Sequence, residues 1–160
     1  VIAANPCPCG KFVGKGRACT CTPLQVRRYL AKLSGPLLDR IDLRVKVEPV
    51  SRIELAQSGE SSHAIRDRVV EARAAAAKRF ATENWKINSQ IPSRALNQKY
   101  RATKPAMAFL HDELDRERIT ARGLHKILRT SWTIADLAKK EQPDLPEVHN
   151  AYKLREGNDY

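Results

Sequence analysis

Hydrophobic and polar positions follow two different periods along the chain, and the change from one to the other divides it. Val1-Ile2-Ala3-Ala4 is a short apolar run that stops at Asn5-Pro6, as a strand end does where proline removes a ladder donor and constrains the residue before it. Leu43-Arg44-Val45-Lys46-Val47 alternates with period two, which predicts a half-buried strand closed by Pro49. Between them, Thr22-Pro23-Leu24-Gln25 has the form of a capping box with proline at the first helical position. Leu24, Val26, Leu30 and Leu33 supply an apolar face, so a helix is expected from Pro23 to about Leu33. Ser34-Gly35-Pro36 ends it and leaves a turn or helical stub over Leu37 to Arg40.

From Ser61 the period becomes helical. Ile65, Val69, Ala72, Ala76 and Phe80 recur on one face, while Arg66, Arg68, Arg73, Lys78 and Arg79 take mostly the other positions. After a connector from Asn84 to Pro92, helices are expected over Ser93 to Tyr100, Thr103 to Arg118, Thr120 to Lys140 and Asp144 to Arg155. A strand-bearing piece followed by a helical one predicts a domain boundary between Val50 and Ser61.

Composition adds a core and a sign of charge. Of 160 residues 42% are hydrophobic, enough for a packed core rather than a disordered tail. Twenty-nine Lys and Arg against 18 Asp and Glu give a formal charge of +11, a field that favours nucleic acid, nucleotide phosphates or acidic surfaces. No run has the length of a membrane span, and the N-terminus lacks a basic segment followed by a longer apolar core, so no membrane association and a cytoplasmic location are expected. The chain opens without Met, in what reads as the middle of a buried strand, and is therefore expected to be a piece of a longer protein.

Cys7, Cys9, Cys19 and Cys21 form C-x-C-x9-C-x-C across a loop containing Gly10, Gly14 and Gly16. Two close pairs brought together by a glycine-rich turn can offer four thiolates to a tetrahedral zinc ion, and Lys11, Lys15 and Arg17 would offset the resulting negative charge. Disulfides and free thiols are the competing readings. A catalytic metal is disfavoured, because four cysteines leave no open position. His63, His111, His125 and His149 are scattered without ligand spacing and receive no role. Arg27, Arg28 and Lys32 lie along one helix and, with the zinc loop, could face DNA or a neighbouring subunit; singly each reads as part of a solvated face.

Asn5-Pro6-Cys7-Pro8-Cys9-Gly10, Cys19-Thr20-Cys21-Thr22-Pro23 and Leu33-Ser34-Gly35-Pro36-Leu37-Leu38-Asp39-Arg40-Ile41-Asp42-Leu43 resemble, in order, the second half of the magnesium-chelatase-like AAA+ ATPases, in their ComM/YifB branch. Gly59-Glu60-Ser61-Ser62, and Thr120-Ala121-Arg122 through Thr133-Ile134-Ala135-Asp136-Leu137, resemble the same family's lid region. Trp132 and Tyr152-Lys153-Leu154-Arg155 depart from the pattern. The resemblance implies an α/β plus all-α chain. Residues 1–55 would be the C-terminal part of an AAA+ core with a four-cysteine zinc insert at 7–21, and residues 56–160 an α-helical lid.

The resemblance also implies roles. Asn5 would be the polar residue that orients water near the γ-phosphate, a turn-forming Asn being the plainer alternative. Arg40 would be an arginine finger inserted into the neighbouring subunit's ATP site, against the alternative of a local ion pair with Asp39 or Asp42. Arg122 would be the lid arginine that contacts nucleotide. As a cation in the first turn of a helix beside the helix-weakening Gly123, it is locally unfavourable twice over, which suggests a demand from outside the helix. ATP and magnesium would serve the full-length protein, together with zinc, DNA and self-association into a ring. No phosphate-binding loop and no acidic magnesium-holding strand end occur in this chain, so alone it should not turn over ATP. Three functions compete: a DNA-translocating motor in uptake or recombination, an ATPase that drives metal insertion into a porphyrin, and a zinc-bearing nucleic-acid-binding module without ATPase action. The paired cysteines favour the first.

Overall fold

The computed structural model describes residues 1–12, 16, 18–57 and 59–157. They divide into two compact units, one of Val1–Ile41 with Lys46–Ser58 and one of Asp42–Val45 with Gly59–Tyr160. Gly14, Lys15 and Arg17, expected to turn and neutralise the cysteine loop, lie outside the described residues.

The first unit holds three short helices, α1 (Pro23–Leu30), α2 (Gly35–Arg40) and α3 (Arg52–Ala56). α1 begins where the sequence places it. The Thr22 hydroxyl accepts from the backbone N–H of Gln25 at 3.3 Å, and the Gln25 carboxamide accepts from that of Thr22 at 2.8 Å, which satisfies two donors that the first turn leaves orphaned. The expected apolar face is met in part: Val26 and Leu33 are half-buried together with Tyr29, whereas Leu24 and Leu30 are exposed. α3 starts at a second capping box, in which Ser51 accepts from Glu54 N–H at 3.2 Å and Glu54 accepts from Ser51 N–H at 2.7 Å.

Among the described residues there is no strand, which corrects the α/β expectation for residues 1–4 and 43–47. A strand exists only as part of a ladder, and these segments form none among the described residues. Val1, Ile2, Val45 and Val47 are exposed instead of half-buried. The backbone N–H of Arg44 donates to the carbonyl of Leu154 at 2.6 Å, a single bond to a helix end rather than a ladder.

The second unit is helical: α4 (Ser62–Arg79), a 3-10 turn at Asn88–Gln90, α5 (Ser93–Asn97), α6 (Lys104–Asp115), α7 (Ala121–Leu137) and α8 (Leu145–Glu156). Ser61 caps α4 and Thr120 caps α7 through their hydroxyls, at 3.2 and 3.0 Å. α7 is the central element and packs against α4, α5, α6 and α8. Phe80, Ile91, Leu96, Leu110, Ile127, Leu128 and Val148 fill the core. Ile65 and Val69, expected on the buried face of α4, are exposed, because its N-terminal turns run beyond the core that covers Ala72 and Ala76.

One polar cluster is built into this core. Arg79 pairs with Asp136 of α7, whose side chain is 2% exposed, and the Arg79 guanidinium lies 4.1 Å above the Trp132 ring. Asn88 donates to Asp136 at 2.8 Å and to Thr133 at 3.1 Å, and accepts from Arg79 at 3.1 Å. Arg79 thus belongs to the interior rather than to the solvated face. Trp132, one of the departures from the family pattern, donates its indole N–H to the Tyr100 carbonyl at 2.7 Å. Tyr152, another, donates to buried Glu113 at 2.7 Å. Among the described residues no helix is long and apolar enough to cross a membrane.

Candidate metal centre

Two tight turns bring the cysteines together. Gly10 N–H donates to the Cys7 carbonyl at 3.1 Å, with Gly10 at φ +71, and Cys19 N–H donates to the Gly16 carbonyl at 3.0 Å, with Gly16 at φ +66. Both glycines occupy the left-handed region that a side chain disfavours. At Gly16 a Cβ would also come 2.8 Å from the Phe12 ring.

The resulting sulfur cluster is compact. Cys7 and Cys9 Sγ lie 3.4 Å apart, Cys9 and Cys19 3.7 Å, Cys19 and Cys7 3.7 Å, and all four sulfurs lie within 4.8 Å of one another. Four thiolates about 2.3 Å from a tetrahedral ion sit about 3.8 Å apart, so the spacing is that of a closed four-sulfur site able to hold a metal ion. All four cysteines are free thiols, so the disulfide alternative is not realised. Cys7 is buried and Cys9 exposed, with Cys19 and Cys21 between.

Thiol chemistry points the same way. The Lys11 backbone N–H, with help from the Cys7 and Cys21 thiols, pushes Cys9 down to about 6. Cys19, although the Cys21 backbone N–H pulls its thiol down, is pushed up to about 12 by burial and by its hydrogen bonds to the other sulfurs. Cys21 is raised as well, chiefly by its bond to Cys9. Without a cation, neighbouring sulfurs compete for a single negative charge; a divalent ion among them removes that conflict and displaces the protons.

The other residues singled out in the sequence are dispersed. Asn5 is exposed beside the first cysteine turn, where its carboxamide Nδ2 would lie 3.4 Å from a Cβ on Gly10. Arg40 is exposed at the C-terminus of α2 and donates from Nη1 to the Pro36 carbonyl at 2.7 Å, a cation closing the end of its own helix. Arg122 is exposed on the first turn of α7 and belongs to the second unit, whereas Asn5 and Arg40 belong to the first. Gly123 has a local explanation: a Cβ there would come 3.0 Å from Nε of Arg155, which is 4% exposed. The external demand inferred from Gly123 is therefore not needed, since α8 supplies the reason. Sequence reading missed the Arg79–Asp136–Asn88 cluster, and its one available signal was an Asp within the otherwise apolar run Ile134-Ala135-Asp136-Leu137.

Comparison with known proteins covers both units. The family model described as magnesium chelatase, subunit ChlI, matches residues 1–55, and that of the ChlI C-terminal region matches residues 59–155. An uncharacterized protein of Mycobacterium tuberculosis is 41% identical over 157 residues, covering 98% of this chain and 31% of that protein. Competence protein ComM of Haemophilus influenzae is 32% identical over 158 residues, covering 97% of this chain and 30% of its own length. YifB of Salmonella typhimurium, uncharacterized, is 33% identical over 159 residues, with 97% and 30% covered. The chain therefore spans about a third of the length of these relatives.

Proposed function

Because this chain belongs to the family of magnesium chelatase subunit ChlI, we propose that it is the second part of a ring-forming AAA+ ATPase acting on DNA, a ComM-like helicase or branch-migration motor in DNA uptake or recombination. The observation that carries this reading is the four-sulfur cluster, in a chain that matches a protein named for competence along nearly its whole length. The exposed Val1, Ile2, Val45 and Val47 support it further, since apolar segments with no strand partner suit a sheet completed by other parts of a longer protein.

On this reading residues 1–55 complete the AAA+ core and residues 56–160 form its lid. Cys7, Cys9, Cys19 and Cys21 hold zinc as a structural ion. Bound ATP with magnesium supplies the phosphoryl group whose transfer drives movement. Asn5 orients water at the γ-phosphate, and Arg122 contacts nucleotide from the lid. Arg40 releases its contact with the Pro36 carbonyl and offers a fixed, always-charged guanidinium to the phosphates of the neighbouring subunit's site. This chain alone is inactive, because the phosphate-binding loop belongs to the remainder of the protein.

The test is steady-state ATP hydrolysis by the full-length protein with and without DNA, beside the same assay on this chain. DNA-stimulated hydrolysis by the former and none by the latter is expected; robust hydrolysis by this chain, after contaminant controls, refutes the division of labour. The match to magnesium chelatase subunit ChlI favours a second reading, an ATPase subunit for metal insertion into a porphyrin. Hydrolysis that responds to a porphyrin and its metal-inserting partner but not to DNA would select it.

A further inference from the structure

The excess positive charge of this chain is unevenly placed. None of its 18 Asp and Glu residues precedes Asp39, whereas Lys11, Lys15, Arg17, Arg27, Arg28 and Lys32 all do. In the first unit the only carboxylates are Asp39, Glu48 and Glu54, and Glu48 is taken by Lys46 at 2.7 Å. The second unit spends its cations differently: Arg68 on Glu60, Arg79 on Asp136, Lys99 on Glu83, Arg118 on Glu113, Lys139 on Glu71 and Lys140 on Glu147. Among the described residues Lys11, Arg27, Arg28 and Lys32 are exposed and have no carboxylate within ion-pair distance.

Arg27, Arg28 and Lys32 follow one another along and just after α1, and Lys11 lies two residues after Cys9 in the cysteine loop that leads into it. Cys21 leads directly into Thr22, the N-cap of α1, so helix and cysteine loop are one continuous piece. Along α1, Val26 and Tyr29 face inward, while Arg27 and Arg28 flank exposed Leu24 on the opposite side and Lys32 follows one turn after Arg28. Exposed arginines and lysines without carboxylate partners, in a stretch with no acidic residue before Asp39, match a phosphodiester backbone better than a protein surface, where interspersed carboxylates are the rule.

Resting on the reading of the parent as a DNA motor, we propose that Lys11, beside the first cysteine turn, and the outer face of α1 form its DNA-backbone contact, with Lys11, Arg27, Arg28 and Lys32 each neutralising phosphate. These contacts carry no sequence information and grip the backbone at any register, as a translocating motor requires. The four-sulfur site fixes the position of the loop relative to α1.

The experiment uses the full-length protein with a slowly hydrolysed ATP analogue and a fluorescein-labelled oligonucleotide, single-stranded and duplex, read by anisotropy at several salt concentrations. The variant carries Lys11→Gln, Arg27→Gln, Arg28→Gln and Lys32→Gln, with metal content and ring mass checked. Expected is a loss of affinity of about 10³ at roughly 0.1 M salt and a log–log salt dependence less steep by about 3 to 4, with rings intact. Unchanged affinity and slope in the variant, with wild type binding DNA, would overturn this surface and leave the motor reading standing. Loss of ring assembly in the variant would overturn it in favour of a subunit interface. Absence of DNA binding by the wild type in every nucleotide state would sink the motor reading and this surface together.

Discussion

Metal removal should unfold the cysteine region selectively, and the structure sets the scale of the effect. Three sulfur separations, 3.4, 3.7 and 3.7 Å, lie within a few tenths of an ångström of the tetrahedral spacing, and Cys21 has at most about 1 Å to travel. The site is thus nearly formed, and occupancy is worth on the order of 10 kcal/mol of local folding free energy at neutral pH. Competing sources are small. α1 and α2 bury no residue fully, and Cys7 is the only fully buried hydrophobic side chain described before Ala72, worth about 1 to 2 kcal/mol. Metal binding therefore outweighs side-chain packing several-fold in holding residues 7–21. Residues 59–157 keep their own core around Phe80, Leu128 and Val148 and should not respond. The assay is two-dimensional amide NMR of this chain before and after chelation, with elemental analysis of the metal and the absorption spectrum of a cobalt-substituted sample. Expected are one metal per chain, tetrahedral thiolate–cobalt bands, and collapse of dispersion confined to the loop and α1 on chelation. A metal-free chain with four titratable thiols and an unchanged amide spectrum would refute the reasoning.

Arg40→Ala in the full-length protein should lower ATP turnover by about 10³ to 10⁵ while leaving nucleotide affinity unchanged. Arg40 is exposed, and its hydrogen bond to the Pro36 carbonyl is worth about 1 kcal/mol of stability, far below the free-energy equivalent of that loss of turnover. In rings shown to be mixed, subunits with an intact Arg40 but a broken phosphate loop should restore part of the activity; no rescue would return Arg40 to a purely structural role. Asp136→Ala leaves the mostly buried Arg79 cation without its partner and should cost about 3 to 5 kcal/mol in urea denaturation. The paired replacement Arg79→Met with Asp136→Leu should cost less than Asp136→Leu alone, and simple additivity would count against a coupled pair. Gly123→Ala ordinarily gains up to about 1 kcal/mol of helix propensity, but here the new methyl meets Arg155 at 3.0 Å, so the melting temperature should not rise; an increase of several degrees would show that Arg155 yields freely.

The sequence alone determined what depends on neighbours in the chain. Helix starts at Thr22, Ser61 and Thr120 were legible because a capping hydroxyl acts on a backbone N–H three residues away. The same signal stood at Ser51 and Glu54, although α3 was not foreseen. The cysteine pairs were legible for a similar reason, since a C-x-C pair needs only one turn to aim two sulfurs together. Tertiary structure alone decided the rest. Period-two alternation at 43–47 states which side chains could face a core, but a ladder needs a second strand, and the described residues supply none. On α1 the apolar positions Leu24, Val26, Leu30 and Leu33 show that the helix is amphipathic, yet only packing kept Val26 and Leu33, added Tyr29 and left Leu24 and Leu30 exposed. Arg79 looked like one cation among several on a polar face. Its burial depends on Asp136, 57 residues away, and on Trp132 beneath its guanidinium, because a charge leaves water only where a partner distant in the chain has been brought to meet it.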